Sequence, residues 1–471
     1  MLEMWTSVQE YIFLSLFLII AIILKRKIRF LQRFLIPTSI IAGFIGLILG
    51  SEILNWIQLD IEKLGTLIYH LMAVGFISIA LKERSTAPVN HRRDNVNTGL
   101  AIITSYIAQG IIGFAISLSL AYTFLPRLFP PFGLLLPLGF AQGPGQAFSI
   151  GTSWEELGFS NGGNIGLSIA TIGFLWAIIF GIPLMNILIR KKKAWGLEDR
   201  EKMIRLKSVN IEEKHTENIP KRMFIDSLTV QVVLIGVVYL ITYFTLRGIS
   251  IILAPLGEYG YTVAQLLWGF HFVIATMFAI LVRIILNALK RRNWLHIKYP
   301  DNYILQRISS GSFDFMIVAA IAALSIATFR ENWLPIILIT TLGGIFSLVY
   351  TVFLCRRIYT NYIVEHIVGL YGQFTGTITT SMALLREIDP DSESNVPENL
   401  VLGGAVALPL GVPLMFILGL AVTGYTAQRP VFYFYAIGTF IIYLAGILTY
   451  LFLKSRRKKT SAAVMPDKGY H

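Results

Sequence analysis

The sequence predicts an all-α polytopic membrane protein: two inverted five-helix repeats, each with a re-entrant loop, followed by one extra C-terminal transmembrane helix. Three observations lead there. Apolar residues gather into long runs, Lys and Arg gather between alternate runs, and a polar string with its flanks occurs twice. Hydrophobic residues make up 55% of the 471 positions and charged ones 14%, and the mean hydropathy is +0.66. A water-soluble enzyme of this length needs more polar surface than that. Cys355 is the only cysteine, which excludes a disulfide framework and a Cys-based metal site within the chain.

A helix needs about 20 apolar residues to cross a bilayer. Runs of that kind are expected near 8–24, 36–54, 64–81, 97–125, 162–189, 223–246, 262–289, 308–329, 334–355, 398–423 and 431–453. The first run is followed rather than preceded by basic residues, so it reads as a span and not as a cleavable signal peptide.

The net charge of +13 has two explanations, a nucleic-acid footprint or membrane orientation. Placement decides. With the N-terminus outside, 34 of the 40 Lys and Arg residues fall in inward-facing stretches. They include Lys25–Arg33, Lys82–Arg93, the long loop 190–222, Lys290–Arg307 and the tail from Lys454. Cytoplasmic loops are the basic ones. The charge is therefore orientation: N-terminus outside, C-terminus cytoplasmic, no nucleic acid, with a bacterial inner (plasma) membrane as the expected location.

The repeat rests on two pairs of strings. Gly145-Gln146-Ala147-Phe148-Ser149-Ile150-Gly151-Thr152 is matched by Gly372-Gln373-Phe374-Thr375-Gly376-Thr377. Gly181-Ile182-Pro183-Leu184-Met185 is matched by Gly411-Val412-Pro413-Leu414-Met415, in the same order and at nearly the same offset. The first repeat, 1–189, begins outside. A mixed-charge linker, 190–222, precedes the second repeat, 223–424, which begins inside, and 425–471 adds a span and a basic tail. Oppositely oriented halves are the architecture of many secondary transporters.

Residues 139–153 and 369–385 lie between full spans but are too short and polar to cross. Each is expected to enter and leave on one side, the first from outside and the second from the cytoplasm. Irregular backbone at membrane depth has to be buried in protein or face water. Glycine permits such turns, and broken helices offer free N–H groups to anions and carbonyls to cations. The candidate substrate-binding residues are Gln142, Gly143, Gly145, Gln146 and Ser149 in the first segment. In the second they are Gly372, Gln373, Thr375, Gly376, Thr377 and Thr380. Sodium favours oxygen ligands, so Thr379, Ser381 and the intramembrane Asp314 are its candidate ligands. His70 and His271 read as packing residues, Arg283 as snorkelling to the inner face, and Glu365 and His366 as residues at a cytoplasmic entrance. A catalytic cluster of His, Asp or Cys in facing spans is not evident, so no enzyme and no cofactor is expected.

At the two polar segments the chain resembles the sodium/glutamate symporter family. Gln142-Gly143-Pro144-Gly145-Gln146-Ala147 stands where that family carries roughly Gly-Gly-His-Gly-Thr-Gly. The likeness continues through Leu157-Gly158-Phe159-Ser160-Asn161 and Ala170-Thr171-Ile172-Gly173-Phe174. Gly369, Gly372, Gly376 and Thr380 follow the spacing of its second loop. Pro144, Gln146 and Leu384 depart from the pattern, where the family tends to have His, Thr and Asn. The likeness runs from the first span to about residue 424. It implies sodium-coupled symport of glutamate or a related acidic amino acid, a homodimer, and an elevator movement of one domain past a scaffold. The two loops are then expected to meet near mid-membrane around a small anionic substrate, with sodium as coupling ion. The three departures keep a di- or tricarboxylate such as citrate as an alternative cargo. A channel or cation/proton antiporter is a further alternative, disfavoured because Asp314 is the one plausible mid-span acid.

Overall fold

The computed structural model describes residues 8–29, 36–83, 89–194, 227–292, 300–389 and 394–464, with Trp5 and Leu31. Almost all of the loop 190–222 and the end of the basic tail lie outside the described residues. Among the described residues the chain is helical and has no strand. The helices, in chain order, are α1 (Gln9–Lys27), α2 (Thr38–Leu49), α3 (Ile61–Leu81), α4 (Val89–Thr123), α5 (Pro144–Glu155), α6 (Gly162–Ile179) and α7 (Gly181–Ala194). The later ones are α8 (Ser227–Leu253), α9 (Gly257–Gly269), α10 (His271–Arg291), α11 (Asn302–Ala322), the short α12 (Ile326–Glu331), α13 (Trp333–Ile358), α14 (Ile363–Thr375), α15 (Ile378–Ile388), α16 (Val396–Thr426) and α17 (Val431–Val464).

Nine stretches among the described residues are long and apolar enough to cross a membrane. They are Ile61–Leu81, Asp94–Thr123, Gly162–Lys191, Leu228–Leu256, His271–Arg291, Asn302–Ala322, Trp333–Ile358, Val396–Thr426 and Val431–Leu453. The eleven expected runs are thus reduced by two. Run 36–54 yields only the 12 residues of α2, about 18 Å at 1.5 Å per residue, because the helix stops at Gly50. Run 8–24 yields the 19-residue α1, whose last turn is Lys25, Arg26 and Lys27. Run 262–289 divides at Phe270, where α9 ends and α10 begins.

Local sequence sets several helix starts. Asp60 Oδ1 accepts from the N–H groups of Glu62 and Lys63 at 3.0 and 3.2 Å, opening α3. Asp301 does the same for Tyr303 and Ile304 at α11, and Ser325 for Thr328 at α12. These are side-chain N-caps that satisfy amides the helix cannot.

The chain forms two compact units. The first is Met1–Thr86, Gln142–Ile172 and Lys193–Ile336. The second is Ala87–Ala141, Gly173–Lys192 and Ile337–His471. Each draws on both halves of the sequence.

In the first unit α11 packs on α3 and α2, and α3 on α10. Ile77, Leu81, Ile235, Val238, Ala275, Ala279 and Leu305 form one buried cluster. At one end of α3 the Arg283 guanidinium donates to Ala80 O and Lys82 O at 2.9 and 3.0 Å. It caps the end of α3. Lys82, just past that helix, donates to Gln306 Oε1 at 2.6 Å, and burial lowers the pKa of its ammonium. Glu83 pairs with Lys290.

In the second unit α16 lies along α4 and α17 packs on both. Contact is close because glycines meet. A Cβ on Gly99 would stand 2.8 Å from Gly403 O, and one on Gly403 2.7 Å from Thr98 Cγ2. Lipid is as apolar as leucine, so helices in a bilayer associate through close packing rather than water expulsion, and small residues permit it. Large apolar side chains such as Leu240, Phe244, Ile284 and Ile442 point outward, as a lipid-facing surface requires.

Candidate functional site

Among the described residues, helices break at glycine within buried surroundings at both polar segments. Before the first break, short turns run through Pro130–Leu134, Leu135–Pro137 and Leu138–Gln142. Gly143 then takes φ 103°, and Pro144 occupies the first turn of α5. A positive φ suits glycine. Proline suits a first turn because its missing N–H would be unpaired there anyway. No side chain caps α5, so the N–H groups of Gly145 and Gln146 are left at its positive end.

Most of α5 is committed to packing. Ser149 Oγ donates to Gly269 O at 2.8 Å. A Cβ on Gly145 would lie 2.6 Å from Met316 Sδ and 2.9 Å from Met72 Sδ, so methionines cover that glycine on one side. Gly151 lies against the backbone of Gly162, and Ala147 against Gly166, which seats α6 directly on α5. The far end is closed by Gly163 N donating to Glu155 Oε1 at 2.9 Å and Tyr261 Oη donating to Glu156 Oε2 at 3.0 Å. Gln146 is buried and Gln142 partly exposed.

The second break joins α14 to α15. The two helices lie against each other, with Ser381 Oγ donating to Gly369 O at 2.5 Å. Gly372 permits the approach, since a Cβ there would sit 2.8 Å from Ser381 Cα. Gly376 and Thr377 make the turn with φ −144° and −131°. Thr380 Oγ1 and Gly372 O flank it, 3.0 and 3.1 Å from where a Cβ of Gly376 would stand. Thr377 and Thr379 share a hydroxyl hydrogen bond of 2.6 Å, and Thr375 Oγ1 donates to Tyr371 O at 2.8 Å. Gln373 Oε1 and Thr380 Oγ1 are buried without a hydrogen-bond partner. At this break the negative end of one helix meets the positive end of another, so carbonyls and amides become available together.

Several residues that position this hairpin escaped the sequence reading. Gln109 of α4 donates through Nε2 to Phe374 O at 2.8 Å and to Ser347 Oγ at 2.7 Å. It ties the last turn of α14 to α13 as well as to α4. Tyr371 Oη donates to Trp176 O at 3.1 Å. The available signal was the recurrence of Asn95, Thr98, Ser105 and Gln109 along one apolar span at helical steps of 3, 7 and 4 residues. Glu365 and His366, expected at an entrance, are buried in α14 at 3% and 2% exposure.

Among the other ionisable candidates, Asp314 is half-buried on α11, where the Ser39 hydroxyl of α2 faces it. His271 is buried and stacks on Tyr69 with ring centres 3.6 Å apart. Its ring nitrogens lie 3.2 Å from Trp268 O and 3.1 Å from Tyr69 O. His70 Nδ1 meets Tyr239 Oη at 2.6 Å.

Long apolar helices together with helices broken inside buried surroundings define a multi-pass membrane protein with discontinuous helices. The family model of the sodium/glutamate symporters matches residues 4–388, and the chain belongs to that family. The match takes in both broken segments and ends with α15, leaving α16 and α17 outside it. Neither the curated proteins nor the solved structures compared with the chain give a match.

Proposed function

We propose that the protein is a secondary active transporter that takes up glutamate or a related acidic amino acid together with sodium. The observation that carries this reading is the break between α14 and α15. Carbonyls suited to an alkali cation and amides suited to a carboxylate lie at one turn, beside the unpartnered oxygens of Gln373 and Thr380. Discontinuous helices of this kind bind anionic groups at their N-terminal ends and sodium at their C-terminal ends. Family membership supports both ligands.

In this reading the substrate carboxylates are held by the N–H groups that open α15. Gln373, Thr375, Thr377 and Thr380 supply side-chain contacts, and Gly372 and Gly376 let backbone approach. Sodium sits on carbonyl and hydroxyl oxygens of the same turn, Thr379 and Ser381 among them. At 12, 13 and 11 residues, α5, α14 and α15 each reach under about 20 Å, short of the hydrocarbon thickness of about 30 Å. That length supports re-entrant segments in two inverted repeats. Alternating access by an elevator movement, a homodimer, and a bacterial plasma-membrane location with the N-terminus outside complete the proposal.

Uptake of labelled glutamate into reconstituted vesicles tests it. A sodium gradient should drive accumulation, and dissipating the gradient should abolish it. Uptake indifferent to sodium removes the coupling. Uptake of citrate in place of glutamate transfers the site to a tricarboxylate cargo.

A further inference from the structure

The root of the α14–α15 hairpin contains a second polar cluster, separate from the break at its tip. His366 is its centre. The Nδ1 atom lies 2.8 Å from Tyr362 O, and because a carbonyl only accepts, Nδ1 carries a proton. A neutral ring then presents a bare Nε2, which can only accept. Asn399 of α16 lies there, its Nδ2 3.3 Å from Nε2. That arrangement leaves Asn399 Oδ1 buried with no hydrogen-bond partner, although Asn399 is 1% exposed.

Half a turn of the Asn399 amide exchanges its oxygen and nitrogen in nearly the same volume. The oxygen would then face Nε2, a contact that is favourable only when Nε2 also carries a proton. The partnerless oxygen of the neutral state thus becomes the acceptor of the charged state. We infer that His366 and Asn399 form a proton-binding site, with the amide orientation of Asn399 recording whether the proton is bound. Hydronium gives a proton to Nε2: its O–H bond breaks, an N–H bond forms, water is released and imidazole becomes imidazolium.

The aromatic neighbour favours a bound proton, while burial of the ring at 2% exposure opposes it. The His366 ring stacks on Tyr359 with centres 3.6 Å apart and planes 20° apart, an arrangement in which an aromatic face stabilises a cation. Tyr359 is fixed by a 2.7 Å hydroxyl contact with Thr98 of α4. The ionisable groups near the pair are Glu365 on α14 itself, Cys355 on α13 and Tyr359 just past its end, Asp94 on α4 beside Tyr359, and Glu398 next to Asn399 on α16. On α15, Arg386 and Glu387 are exposed and turned away.

Proton binding has a mechanical consequence. His366 lies in the first turns of α14, where the helix dipole disfavours positive charge. Tyr362 O already accepts from both His366 N and Nδ1, and Tyr362 holds a left-handed φ of 49°. Charging the ring loads this turn and rearranges its contact with α16. Acid therefore slows the carrier through the hairpin root.

The test is made on the full-length protein, with histidine labelled at both ring nitrogens. Comparison with H366Q assigns the His366 signals. Burial moves the ring below the usual histidine range, so between about pH 7 and about pH 4 those signals should pass from a Nδ1-protonated neutral ring towards a doubly protonated one. In vesicles under a fixed sodium gradient, uptake should fall several-fold over the same interval, and H366Q should flatten that limb. An opposite charge at the partner position raises the midpoint by about 1–3 pH units, so N399D should move the transition upward while N399L should not. If H366Q does not fold, the N399D and N399L midpoints decide. A labelled ring that stays in one protonation state throughout overturns the inference, as does an acid limb that survives H366Q unchanged. The transport readout rests on the proposed uptake activity, whereas the ring signals do not. A titrating ring in a protein that takes up no glutamate would support the proton site and remove only the cargo.

Discussion

The two broken segments look alike in sequence and differ in how their polar groups are used. In the first, Ser149 donates to Gly269 O and methionine sulfurs cover Gly145. Its glycines also let α6 lie directly on α5. In the second, the hairpin is held by Ser381, Gly372 and Gln109, while Gln373 Oε1 and Thr380 Oγ1 have no partner. A buried polar atom without a partner costs free energy, and a ligand at this break would complete both atoms. In the proposed reading the first segment braces and the second carries the ligand chemistry.

The sharpest way to break this contrast is to remove the unpartnered atoms. Q373L and T380V should leave folding intact, since neither loses a hydrogen bond within the protein. Each should weaken glutamate-dependent or sodium-dependent thermal stabilisation by about 10- to 100-fold in apparent affinity, the worth of a hydrogen bond to a charged group. Unchanged ligand-induced Tm shifts in both variants would move the site elsewhere. Next in size is the close approach at Gly372. G372A drives a Cβ to 2.8 Å from backbone at Ser381 and should cost about 1–3 kcal/mol, the usual overpacking range. G145A meets only the ends of flexible methionines and should cost less, so denaturation midpoints that rank the pair the other way would undo the packing argument.

A third comparison concerns the hydrogen bond that fastens each segment to its surroundings. Q109L removes the donor to Phe374 O and Ser347 Oγ and leaves a buried carbonyl unpaired, a loss of about 1–3 kcal/mol. Its uptake should fall because the last turn of α14 is no longer held. The smallest effect is expected of S149A, which gives up one ordinary hydrogen bond worth about 0.5–1.5 kcal/mol and should retain uptake. Loss of transport in S149A with a wild-type Tm would show that the first segment binds ligand after all.

Much of this was legible in the sequence for identifiable reasons. Hydropathy is local, so the long apolar helices followed from composition along the chain. Glycine before proline at Gly143-Pro144 and the Gly376-Thr377 turn are local conformational signals, and both became breaks. Length arguments were weaker. Run 36–54 is apolar, yet α2 stops after 12 residues, since apolarity does not tell where a helix ends. Gln373 and Thr380 were candidates by type, as were Ser149 and Thr375. Type alone could not separate the two that lack partners from the two already bonded.

The sequence by itself determined an all-helical membrane chain, the sites at which its helices break and, through its repeated strings and family resemblance, the class to which it belongs. These depend on the order of apolar, basic and glycine residues over short spans. Only the tertiary structure decided which polar groups are already bonded. Ser149 meets Gly269, Gln109 meets Phe374, and His366 meets Asn399 across long stretches of chain. A hydrogen bond requires atoms brought within about 3 Å, and no spacing along the sequence encodes which distant partner the fold will bring there.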